Sequence, residues 1–327
     1  MFRSIARTDN AEFELARDLR HIEDVWNEIA TGLPVYWQKF LDRLRPPASD
    51  VIEILGARVQ QEPSTQADGV LLVSAFDVAV EEFESEAAKY REFFDEGAIE
   101  EYEEDPNAFK HLMTRELPVI ARTLRQSNKE LKEWQKKFRL ARPADLLAVF
   151  TNVLDFYDEW SANHSVVAYK SYNAPAEFQL APINDDENLN IPGVIGMGIK
   201  TIVLFHKDPQ RMPQLGRFAL FGLYFLSGRK SFGMISDSSE FLMINDETKA
   251  ANGSFVMDQN YWYPYDVFSL YLLRIYRWIS SKAAEQGFGV DDQRRYVYVE
   301  RFLEAVCAEH LDDMKTMRAH DSFGIPA

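Results

Sequence analysis

At 327 residues and a formal net charge of -16, the chain is long enough for one large domain or two interleaved ones, and it has no global excess of cations with which to grip nucleic acid. Charges interrupt every stretch before it reaches the roughly 20 apolar residues of a membrane span, and the most apolar run, Val267 to Ile279, carries Arg274 and Arg277 inside it. The single cysteine, Cys307, excludes an intrachain disulfide and a cysteine-rich zinc site.

The first residues, Met1 to Asn10, hold no apolar run of the secretory kind, so a cytoplasmic location is expected. A polar start around Asp9 suits a helix cap, and Leu15, Leu19, Ile22, Trp26 and Ile29 then recur at steps of four and three. That helix should end near Gly32 and Pro34. A second, short helix should carry Tyr36, Phe40 and Leu44 as far as Pro46-Pro47, and a third should follow Asp50 before a turn-rich loop from Glu62 to Gly69.

Val73, Phe76, Val80, Phe83, Ala87, Tyr90 and Phe94 step by three or four and form one helical stripe. Leu117, Ile120, Leu124, Ser127, Leu131, Trp134 and Phe138 predict a second. Their flanks carry opposite charge: acids outnumber bases by 13 from Glu62 to Asp105, and bases outnumber acids by 7 from Lys110 to Arg142. Two readings stay open, a pair of complementary helices within one chain and a contact in which the acidic helix of one subunit meets the basic helix of another. The acidic run Asp95 to Asp105 reads as a solvated connector, since it lacks the alternating oxygen ligands and central glycine of a calcium loop.

A helix is expected from Ala144 to about Ser161. Short β-favouring runs follow at Val166 to Tyr169, Ile199 to Phe205 and Phe241 to Ile244, with one helix between them from Pro213 to Leu226. Tyr261-Trp262-Tyr263-Pro264-Tyr265 then opens a helix on which Asp266, Ser269, Arg274, Arg277 and Ser280 form a polar stripe, and a last helix runs from Asp291 to about His320. The predicted class is mainly α with a minor β component. A helical bundle-like body spans 1–162, a small mixed α/β region spans 163–260, and C-terminal helices over 261–327 pack back on the first region.

The candidate chemical motifs are weak. Gly193, Gly198, Lys200 and Thr201 fall short of a phosphate-binding loop because Ile199 separates Gly198 from Lys200, and because a strand is expected where that loop needs a helix. Asp237, Glu247 and Lys249 have the residue types of a metal-dependent nuclease, but on what reads as a polar turn. Glu304, Cys307 and His310 recur every three residues without a matching half-site for zinc. No cofactor and no metal are expected, and no catalytic residue can be assigned.

Absent catalytic motifs, oppositely charged helices and 13% aromatic residues favour a self-assembling structural subunit. A helical adaptor for another protein and an enzyme with a dispersed site, such as the nuclease-like Asp237, Glu247 and Lys249, are the alternatives. The residues expected at a subunit interface are Phe83, Tyr90, Phe94, Lys132, Trp134, Lys136, Tyr261, Trp262, Tyr263 and Tyr265.

In size, acidity, helix-dominated pattern and the aromatic opening Tyr261-Trp262-Tyr263-Pro264-Tyr265 before a buried helix, the chain resembles the coat proteins of small double-stranded RNA viruses, such as the partitivirus group. The resemblance implies a thin closed shell built from dimers in the host cytoplasm around a duplex genome. Its partner would be itself, with no membrane contact and at most weak contact with the enclosed duplex.

Overall fold

The computed structural model describes residues 10–45, 65–127, 131–233, 240–249 and 255–317. The chain is mainly helical. Helices α1 (Asn10–Arg17) and α2 (Leu19–Leu44) meet at Asp18, whose carboxylate accepts from the His21 amide at 2.9 Å and caps α2. Contrary to the expected break, α2 runs straight through Gly32 and Pro34 and buries Val25, Ile29, Leu33, Trp37 and Phe40 along one face. Gly32 is there for proximity. A Cβ on it would stand 2.6 Å from the carbonyl oxygen of Leu226, so the glycine lets two helices touch backbone to backbone. The helix expected after Asp50 lies outside the described residues.

Helix α3 (Thr65–Phe93) carries the predicted stripe and begins inside what the sequence suggested was a loop. The acidic run beyond it is a helix, α4 (Glu96–Glu104), capped by Asp95 at the Gly97 amide. Its acids occupy the outer turns while Tyr102 is buried, so a high charge density is compatible with helix once one ring anchors the inner face. Asp105 then caps α5 (Pro106–Arg115), with Pro106 in the first turn. The second predicted stripe is divided between α6 (Pro118–Arg125) and α7 (Leu131–Leu140). Gln135 joins them across the break, its side-chain amide donating to the Thr123 and Gln126 carbonyls at 3.0 and 2.7 Å.

Helix α8 (Pro143–Asn163) follows, and the β-favouring run after it is a single turn, α9 (Val166–Tyr169), capped by Ser165. After α10 (Ala181–Asp185), the run Ile199 to Phe205 is likewise not a strand but the body of α11 (Met197–Lys207), leaving only the third predicted strand in β conformation. Ile202, Val203, Leu204 and Phe205 are all buried, and a short apolar run covered on all sides has no periodicity with which to tell helix from strand. Helix α12 (Arg217–Leu226) precedes a two-stranded antiparallel hairpin, β1 (Leu242–Lys249) and β2 (Phe255–Gln259), registered with Leu242 opposite Gln259.

Helix α13 (Tyr265–Glu285) forms the centre. Phe268, Leu272, Ile275 and Ile279 are within 1% of complete burial, each contributing about 1.5–3 kcal/mol on removal from water. The last predicted helix is two, α14 (Arg295–Ala308) and α15 (Leu311–Thr316). Helix α14 packs on α2, α3, α12 and α13, and Gly222 of α12 meets Leu303 so closely that a Cβ would lie 2.9 Å from its Cδ2.

Two apolar clusters result. One gathers α2, α12, α13, α14 and the first half of α3; the other gathers the end of α3 with α4, α5, α6 and the start of α8. Helices α3, α8 and α11 contribute to both, through Phe83 and Tyr90, Tyr157 and Phe150, and Phe205 and Val203 respectively. The clusters therefore do not divide at residue 162. No helix among the described residues is long and apolar enough to cross a membrane.

Candidate functional site: a charged exterior over an aromatic interior

Helix α3 presents a solvent-facing strip of Val70, Ser74, Asp77, Val78, Glu81, Glu82 and Glu92, and α4 extends it with Glu96, Glu100, Glu101, Glu103 and Glu104. The opposite face of α3 explains why: Phe76, Ala79, Phe83 and Tyr90 are buried, so helical periodicity leaves the acids outside. Helix α7 offers the complement. Lys132, Lys136, Arg139 and Leu140 are exposed, Leu140 at 73%, while Gln135 and Phe138 point inward.

The two charged strips barely meet within the chain. Among the described residues, the one ion pair between the basic segment and α3 or α4 is Arg122 of α6 with Glu86 of α3, beside the contact in which the Val119 amide donates to Tyr90 Oη at 3.2 Å. Among the described residues, no ion pair links Asp77, Glu81, Glu82, Glu92 or the α4 acids with Lys132, Lys136 or Arg139. Glu84 is taken by Arg91 and Arg294, and Lys137 by Glu133 one turn away on its own helix.

The expected interface residues separate into two groups. Phe83 and Tyr90 are consumed inside the subunit, sandwiching the His206 ring with centroids 5.3 and 4.0 Å from it and planes within 10° of parallel. Burial holds the His206 imidazole below its ordinary pKa, so the central ring of the stack is neutral. Tyr263 and Tyr265 are also internal, donating to Glu240 Oε1 at 2.7 Å and to the Pro213 carbonyl at 2.6 Å. Phe94 and Trp134 are half-buried, and the Trp134 indole donates to the Val194 carbonyl at 2.7 Å. Lys132, Lys136, Tyr261 and Trp262 remain on the surface, with Trp262 59% exposed.

The motif candidates do not assemble into a catalytic centre. Helix α11 does follow Gly196, so the strand expected there is corrected, but Lys200 faces inward and donates to the Ile183 carbonyl and to Asn190 Oδ1 at 2.5 and 2.8 Å. Burial lowers its pKa to about 8. Asp237 and the side chains of Glu247 and Lys249 lie outside the described residues. Glu304, Cys307 and His310 diverge: Glu304 pairs with Arg301, Cys307 is buried against the Phe218 carbonyl, and His310 stacks on Phe225. Among the described residues, no group of three or more His, Cys, Asp or Glu side chains is placed to hold a metal ion.

Sequence reasoning missed the tether around His310. Its Nε2 lies 2.7 Å from the Tyr36 hydroxyl and its Nδ1 3.0 Å from Asp313 Oδ2, which also accepts from Arg229 at 2.5 Å. Arg229 Nη2 also lies 3.1 Å from Nδ1, so that nitrogen faces both a donor and a carboxylate, and the Tyr36 hydroxyl donates to or accepts from Nε2 according to the tautomer. Burial raises the Tyr36 pKa and lowers that of His310, so the relay orients a neutral phenol and joins α2 to α15. Residues 274 positions apart in sequence carry no local signal of such a pairing.

The chain matches no protein-family model, no curated protein and no solved structure.

Proposed function

We propose that this chain is a self-assembling structural subunit, of the kind that builds a closed protein shell. The observation that carries the reading is the mismatch between charge and contact. A strongly acidic strip on α3 and α4 and a basic strip on α7 both face solvent, and among the described residues no ion pair joins one to the other. Unlike charges on separate faces steer and register association between identical copies, and exposed apolar side chains close to each strip supply contact area: Val70 and Val78 on α3, Leu140 on α7. Trp262, on the surface before α13, adds a further ring. Copies joined in this way satisfy all their contacts only when the assembly closes.

Light scattering and negative-stain microscopy test the reading. Dimers or closed particles are expected at moderate salt, with a smaller mean mass as screening increases. The double variant Lys132→Glu, Lys136→Glu reverses the sign of two surface charges without touching the core, and should shift the mass distribution toward monomer while leaving the melting temperature unchanged. A monodisperse monomer at tens of micromolar across low and moderate salt overturns the proposal and favours an adaptor that uses the same strips on a different protein.

A further inference from the structure

The turn after α9, helix α13 and the start of α14 enclose a pocket of about 220 Å³, lined by Lys170, Tyr276, Arg277, Ser280, Asp292 and Arg295. Its charges do not balance. Three cations share one carboxylate, and that carboxylate is already occupied: Asp292 Oδ1 accepts from the Tyr276 hydroxyl at 2.6 Å, and Oδ2 is paired with the Lys170 ammonium.

Both guanidinium groups are held by neutral acceptors. Arg277 donates to the Lys170 and Tyr172 carbonyls and to Asn173 Oδ1. Arg295, with no exposed surface, donates from Nη1 to the Gln210 carbonyl at 2.7 Å, while its buried Nε and Nη2 have no hydrogen-bond acceptor. The closest carboxylate oxygen to Nη2 is 4.0 Å away. The rings of Tyr169 and Tyr276, with centroids 5.3 and 5.1 Å from the guanidinium carbon, fix the group in place. Burial, with the neighbouring Arg274 and Arg295 charges, depresses the Arg277 pKa, the expected mark of crowded cations.

Buried donors left without acceptors are rare in native proteins, and an uncompensated buried charge is costly. We propose that this pocket binds a phosphate-type oxyanion, whose two negative charges offset the excess of two positive charges and whose oxygens suit the planar donor fork of arginine. The volume admits a phosphate group with room for a small substituent. The bound anion would contact Lys170 and Arg277, with the buried Arg295 charge acting through space from behind them, tying the turn after α9 to α13.

Thermal melting at constant ionic strength, with phosphate replacing chloride, tests the site, and equilibrium dialysis with inorganic phosphate gives the affinity. A saturable rise in melting temperature is expected. Lys170→Gln, on the exposed side, should weaken phosphate binding about tenfold without unfolding the protein. Ser280→Glu brings a carboxylate into the pocket, and should raise the melting temperature without added anion and abolish the response to phosphate. Inorganic phosphate and adenosine 5′-monophosphate are compared in parallel: equal affinities mark the phosphate group as the whole ligand, and tighter binding of the nucleotide marks a phosphate ester. Identical melting in phosphate and chloride overturns the proposal. So does an unchanged phosphate response in Ser280→Glu.

Discussion

His21 Nε2 and Glu240 Oε2 meet at 2.9 Å, although 219 residues separate them, and Glu240 has no exposed surface. Tyr263 donates to the other carboxylate oxygen, and Phe232 closes edge-on over the imidazole. The pair fastens α2 to the segment that enters β1.

This pair makes stability depend on pH with a definite sign. Burial, the largest influence on His21, lowers its pKa, but the hydrogen bond to Glu240 and that carboxylate's charge outweigh it, and the net shift is upward from 6.5. The folded state therefore holds its proton more tightly than the unfolded chain. The contribution is complete below the unfolded pKa and is lost as pH rises through the raised folded value. Denaturant titrations should show His21→Gln more destabilising at pH 5.5 than at pH 8.5, and equal losses at both would refute a charged pair. Tyr263→Phe should cost about 1.5–3 kcal/mol, because a buried carboxylate oxygen loses its donor.

Lys200 acts in a different window. Its folded pKa of about 8 lies below the 10.5 of a free lysine, so the unfolded chain binds more protons between those values, and this residue makes stability rise with pH there. Stability measured from pH 8 to 10 should climb more steeply in the parent than in Lys200→Met, which has no proton to lose. Parallel curves would show that the amine is not desolvated.

Two glycines should reverse the usual preference of helices for alanine. At an exposed helical position glycine to alanine gains about 1 kcal/mol. Gly32→Ala instead drives a methyl into the Leu226 carbonyl at 2.6 Å, and Gly222→Ala drives one into Leu303 at 2.9 Å. Each should destabilise by about 1–3 kcal/mol, with Gly32→Ala the worse, because a backbone carbonyl cannot rotate away. A rise in melting temperature for Gly32→Ala would show that α2 and α12 are farther apart.

Phe83→Asp places a carboxylate against His206 and Phe205 in a site that is 8% exposed, and should cost more than about 3 kcal/mol in chemical denaturation. Trp134→Phe keeps the ring and removes only the donor to Val194, so a loss of about 1 kcal/mol is expected. Equal effects would indicate that Phe83 is not part of the core.

What the sequence determined by itself is the helical class and the inward face of its long helices. The stripes from Phe76 to Phe94 and along α13 were legible because an apolar residue every three or four positions is a local property, readable within about ten residues, although Leu19 and Val73, assigned to the inward stripes of α2 and α3, are exposed. Arg274 and Arg277 within the most apolar run were the visible sign that α13 meets polar partners, though the sequence did not say which. Tertiary structure alone decided the rest. Gly32 and Pro34 looked like a helix end, and only the approach of Leu226 shows why a glycine stands inside a continuous helix. Ile199 to Phe205 favoured strand by residue type, but it is surrounded on all sides and became helix. The pairing of His21 with Glu240 and of Tyr36 with His310, and the placing of Arg295 beside Tyr169 and Gln210, depend on segments distant in sequence, where packing rather than local preference chooses the neighbour.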